Sequence, residues 1–164
     1  MATVLDLAVI DDPATAVVAL DPVRSSLLAA LAAEPASAAG VAARLGLPRQ
    51  KVGYHLRALE EQGLVHEIAT RRHGGLTERV LAPTAASYVV SPSALGAAEA
   101  SPDRIRDRLS ASYLVALAAR AGREGGAQLR GAEQAGRRLP TLSVDTEVRF
   151  ATAADRAAFA DDLA

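Results

Sequence analysis

Arg49, Gln50, Lys51, Tyr54, His55 and Arg57 crowd together, and Arg71, Arg72 and His73 form a second basic group just before Gly74 and Gly75. Arg forks onto guanine or phosphate, Gln pairs with adenine, and Tyr offers a hydroxyl to phosphate or a ring to a thymine methyl, so these side-chain types suit contact with DNA. On a helix turning about 100° per residue, Gln50, Tyr54 and Arg57 share one side, with Lys51 at its edge, and Val52, Leu56 and Leu59 take the other. Docking that apolar stripe on Val41 and Leu45 leaves the polar face open to a major groove. His55 is expected to border backbone phosphate. Arg71, Arg72 and His73 are expected to straddle a phosphate or enter the minor groove.

Other chemistry finds little support. His55, His66 and His73 are the only histidines, their spacing across a helix and a hairpin matches no short ligand motif, and no Cys completes a set, so no metal is expected. Ser110, Ser112 and Tyr113 have no histidine nearby, and Gly122, Gly125 and Gly126 lack the Lys and the preceding strand of a phosphate cradle. The expectation is a chain with neither enzyme activity nor cofactor.

The net charge of −1 hides an uneven distribution. Between Arg44 and Arg79, the bases Arg44, Arg49, Lys51, Arg57, Arg71, Arg72 and Arg79 outnumber the acids Glu60, Glu61, Glu67 and Glu78, whereas the first twenty residues carry only Asp6, Asp11 and Asp12. Such polarity fits a DNA reader with an otherwise neutral surface. The absence of Cys removes disulfides, thiolate metal sites and thiol redox sensing, and fits a cytoplasmic protein. No apolar run approaches a membrane span.

These residues need elements to carry them. Asp12-Pro13 and Asp21-Pro22 are helix starts, an acceptor followed by a residue fixed at helical φ, giving a short helix to Leu20 and a second to Ala33 with Val23, Leu27, Leu28 and Leu31 on one stripe. Ser37 caps the next helix, Gly46-Leu47-Pro48 makes the turn, and the reading helix runs from Pro48 to about Gln62. Val65 to Thr70 and Leu76 to Ala82 are β-like runs joined by a loop from Arg71 to Gly75. The fold class is mainly α with a small β-hairpin wing: a winged helix-turn-helix followed by a smaller α/β or helical C-terminal module. The parts are a 1–20 arm with its short helix, the 21–83 DNA-binding domain, and an 84–164 dimerisation or effector module.

The run Leu47-Pro-Arg-Gln-Lys-Val-Gly-Tyr-His-Leu-Arg-Ala-Leu-Glu-Glu-Gln-Gly-Leu-Val65 resembles the ArsR-type winged-helix transcriptional regulators, especially their Ala/Arg-rich actinobacterial branch, over about Asp12 to Pro83. The resemblance implies a homodimeric regulator, a repressor in the first instance, on an inverted repeat of double-stranded DNA. It also implies that the Pro48–Gln62 helix enters the major groove with the Arg71–Gly75 loop as wing. Gly40 interrupts the first helix of the motif. The competing reading is a winged helix reused as a protein-interaction or dimerisation module without DNA.

Beyond Pro83, Ala85 to Val90 reads as a short strand and Ser91-Pro92 caps a helical turn. Ser101 or Asp103 opens a long helix with Ile105, Leu109, Tyr113, Leu114 and Leu117 on its apolar face, breaking or fraying at Gly122 to Gly126. Thr141 to Phe150 alternates like a strand, and Thr152 caps a last helix, like the opening of a βαβ unit without its final strand. The expected dimer interface joins the Pro13–Ala33 helices to the long helix. Between Tyr113–Leu117 and the face of Leu142, Val144, Val148 and Phe150 two readings stand side by side: a cleft that admits a small organic effector, or faces that simply pack together in an unliganded constitutive binder.

Overall fold

The computed structural model describes residues 4–73, 76–108 and 110–163. Asp12 accepts from the Thr15 amide at 2.7 Å to start α1 (Pro13–Ala19), and Asp21 accepts from the Val23 and Arg24 amides, each at 3.0 Å, to start α2 (Pro22–Ala33). Both carboxylates satisfy amides that a first turn leaves orphaned. The other end of α2 is closed from outside: Arg44 donates to the Ala30 and Glu34 carbonyls at 2.9 Å. Arg44 belongs to α3 (Ala38–Leu45), which Ser37 caps and Gly46 ends at φ 65°, a left-handed conformation suited to Gly. After the turn comes α4 (Arg49–Glu61).

Leu27, Leu28 and Leu31 of α2, Val41 of α3, and Val52, Leu56 and Leu59 of α4 are buried together, the core that the periodicity predicts. Gly40 has a packing reason: a Cβ there would lie 3.2 Å from that of Ala36.

β2 (Val65–His73) and β3 (Leu76–Pro83) pair antiparallel, from Val65 opposite Pro83 to His73 opposite Leu76, with a register shift between Glu67 and Ala69. The five-residue loop expected at Arg71 to Gly75 is therefore corrected. Arg71, Arg72 and His73 are ladder residues opposite Glu78, Thr77 and Leu76, because β-pairing continues toward the glycines instead of stopping at Thr70. Gly74 and Gly75 lie outside the described residues. Ala36 bridges to Leu81 through two backbone bonds of 3.2 and 3.0 Å, fixing the wing to the α2–α3 turn.

β1 (Ala8–Ile10) and β4 (Tyr88–Val90) form a second, parallel pair. They bridge the divisions expected after residues 20 and 83. The Tyr88 hydroxyl donates to the Leu64 carbonyl at 2.7 Å and accepts from the Thr84 and Ala85 amides at 3.1 Å, binding this pair to the base of β2.

Downstream of a 3-10 stretch at Pro92–Ala98 comes α5 (Ala111–Gln134), a continuous helix capped by Ser110. Two expectations are corrected here. The helix does not open at residue 101 or 103, because Pro102–Arg104 is a 3-10 turn with Pro102 buried, and Ile105 is extended (φ −107°, ψ 118°). Nor does it break at Gly122 to Gly126. Gly126 lets α5 approach β1 so closely that a Cβ would fall 2.7 Å from Val9 Cγ1. Leu109 of the expected stripe lies outside the described residues.

The strand expected over Thr141 to Phe150 does not form. Leu142 is 92% and Val144 84% exposed, and no strand partners this run among the described residues. Without it, Leu142 and Val144 form no face against Tyr113–Leu117 among the described residues, and the C-terminal module is helical, closing with α6 (Ala153–Leu163). Thr152 caps α6 by accepting from the Asp155 amide at 3.2 Å and donating its own amide to that carboxylate at 3.0 Å. No single helix among the described residues is long and apolar enough to cross a membrane. The pair α1 and α2 has the length and composition but is bent by 77°.

Candidate nucleic-acid interface

The interface is built on α4, whose Val52, Leu56 and Leu59 are buried in the core. Gln50, Tyr54 and Arg57 are exposed on its opposite side with Lys51 at the edge, and Arg49 is exposed at its start. Pro48 stands at the N-cap without a side-chain acceptor, so the first amides of α4 point outward beside two bases, an arrangement that favours a phosphate.

His55 belongs to the other face and is corrected as a contact residue. It is 9% exposed, stands one turn from Val52 and Leu59 on the buried stripe, and meets the Tyr54 ring edge-on at 5.3 Å. The pattern Val52, His55, Leu56, Leu59 is the i, i+3, i+4, i+7 spacing of a core face, so the signal was in the sequence and the polarity of His concealed it. Its Nδ1 finds no hydrogen-bond partner, and neither does that of His66 in β2. No three side chains among the described residues gather in a way that would hold a metal.

The seven bases of the segment divide into two groups. Arg44 is engaged with the end of α2 and with the Glu34 carboxylate at 3.0 Å. Arg79, on β3, grips Glu60 of α4 and Glu67 of β2. These bonds push its already high pKa further up, the Glu60 bonds first and the Glu67 bond next. Arg49, Lys51, Arg57, Arg71 and Arg72 form no ion pair among the described residues and are all exposed. The His73 side chain lies outside the described residues.

A cleft of about 240 Å³ separates α4 from the wing. Arg49, Gly53, Arg57 and Glu60 line one wall, Thr77, Glu78 and Arg79 the other, and Ser37 to Ala39 the floor. Ser37 donates to Glu78 at 2.9 Å, holding β3 to the start of α3. Sequence reasoning counted Glu60 and Glu67 only as charges. Their role depends on a long-range fold that brings the last turn of α4 beside β3.

The geometry can therefore offer a polar helix face, free guanidinium groups and a basic strand to one polyanion. No curated protein matches this chain. Residues 19–68, spanning α2, α3, α4 and the start of β2, match the family model of a helix-turn-helix domain, a likeness that supports DNA-binding regulation.

Proposed function

We propose that this chain is a sequence-specific DNA-binding transcriptional regulator, a repressor acting as a homodimer on an inverted repeat, with α4 in the major groove and the β2–β3 wing on the flanking backbone. The observation that carries the reading is the division among the bases. Arg44 and Arg79 are consumed by internal pairs, while those left without one lie on the outer face of α4 and on the wing. Arg49, Gln50, Lys51, Tyr54 and Arg57 are the proposed groove residues, and Arg71, Arg72 and His73 the proposed wing contacts. Residues 84–164 supply the dimerisation module. Leu114 and Val115 of α5 are 67% and 66% exposed, which supports burial against a second copy.

A gel shift over a salt series, on DNA upstream of the protein's own gene, tests this. Arg57→Ala and Arg71→Ala weaken binding to all sequences and each lowers the salt slope by about 1. Gln50→Ala relaxes preference at one base position per half-site, by roughly 1–3 kcal/mol. Sedimentation shows a dimer that Leu114→Asp dissociates. If the wild type gives no salt-dependent shift, the chain is a protein-interaction module.

A further inference from the structure

Arg79 is the residue whose surroundings depart most from those of a phosphate contact. Its Nε donates to Glu67 Oε2 at 2.5 Å, its Nη1 donates to Glu60 Oε2 at 3.1 Å, and its Nη2 donates to the other oxygen of Glu60. The fork onto Glu60 is bidentate, a geometry that a guanidinium can make and an ammonium cannot. The register shift makes this three-way contact possible. Residues 79 and 81 share one face of β3, and Glu67 pairs with Leu81, yet Thr70, three positions along β2, pairs with Arg79. An odd step between residues on the same face requires the irregularity at Ile68, which turns Glu67 toward Arg79.

We infer that Arg79 is a positioning residue for DNA binding: by bridging the last turn of α4 to both wing strands across the end of the cleft between α4 and the wing, it sets the angle between reading helix and wing and makes no DNA contact of its own. The inference rests on the proposed DNA-binding function and extends it to a residue that charge alone would assign to phosphate. It makes an unusual demand. Glu60 and Glu67 are acids on a face turned to a polyanion, where removing negative charge ordinarily strengthens binding. Here their removal weakens it, because the wing loses its anchor.

The test uses the full chain and a mixed-sequence DNA duplex. Arg79→Lys, Glu60→Gln and Glu67→Gln each lower affinity, by about fivefold for a partly exposed network, and leave the salt slope at its wild-type value. Unchanged affinity in Arg79→Lys, a salt slope lowered by about 1 in Arg79→Gln, or tighter binding by Glu60→Gln would each overturn the inference in favour of a phosphate contact. A second measurement needs no DNA. Because the chain has no Cys, nitroxides can be placed through E61C and T77C, and their distance distribution broadens in Arg79→Lys while the melting temperature of the helices stays near wild type. An unchanged distribution overturns the inference whether or not the protein binds DNA. Loss of binding in the wild type, with the broadening still seen, overturns the proposed function and leaves the anchor standing.

Discussion

Residues 8–10 and residues 141–150 make an instructive pair. Ala8-Val9-Ile10 is too short to show alternation, yet it is a strand, because Tyr88–Val90 runs beside it in parallel register. Leu142, Val144, Thr146, Val148 and Phe150 alternate well, yet that run forms no strand and all but the half-buried Phe150 are exposed. A strand is made by hydrogen bonds to a neighbour, and alternation only states which face would be buried if a neighbour existed. The same difference separates the two halves of the molecule: the first is held by contacts distant in sequence, and the last thirty or so residues by local ones such as the Phe150–Phe159 ring contact at 5.3 Å.

The sharpest way to break this comparison is to remove one leucine from each half. Leu59→Ala, at a fully buried position, should cost about 2–5 kcal/mol in a denaturant melt. Leu142→Ala should stay within about 0.5 kcal/mol. Equal costs would show that the tail packs on the body after all.

Within α5 the two environments meet on one helix. Gly126→Ala forces a methyl into Val9 and should destabilise by roughly 1–3 kcal/mol. Gly122→Ala meets nothing within 4 Å and should stabilise by about 1 kcal/mol through helix propensity alone. Opposite signs in thermal melts confirm that α5 leans on β1 through Gly126.

The helix-turn-helix and its wing were largely legible in the residues, since Asp-Pro starts, the Ser37 cap and the Gly46 turn are local devices whose chemistry acts within a few positions. What escaped was long-range. His55 was misassigned because its polarity was weighed above its place on the Val52–Leu59 stripe. The glycines of α5 were taken as breaks because nothing local reveals that Val9 lies against Gly126, and Arg79 looked like one more surface base. His55→Leu sharpens the first correction. It removes an unpartnered ring nitrogen from the interior, so it should change stability by less than about 1 kcal/mol and leave DNA affinity unchanged. A lost salt-slope unit would return His55 to the interface.

The smallest effect concerns acid. The Thr15 amide holds the Asp12 carboxyl below its ordinary value of 3.8, helped by the Thr15 hydroxyl, and the Arg24 amide does the same for Asp21. A carboxylate whose pKa is lower in the folded state contributes stability above its unfolded value, and that contribution is lost as pH falls through the folded one. Melting temperature should therefore fall on the acid side of 3.8, and the paired substitution Asp12→Asn with Asp21→Asn should flatten that limb. A limb as steep as before would move the titration to other carboxylates.

The parallel pairing of β1 with β4 also sets an order of events in time. The helices α2 to α4 and the β2–β3 hairpin assemble from neighbours in sequence, but Ala8 meets Tyr88 only after nearly the whole body has been threaded between them. Closing so long a loop is entropically late, so β1 docks near the end of folding. Val9 is then also the seat that Gly126 of α5 requires. α5 thus gains its footing only when the helix-turn-helix domain is complete, and Val9→Ala should speed unfolding while leaving the folding rate almost untouched.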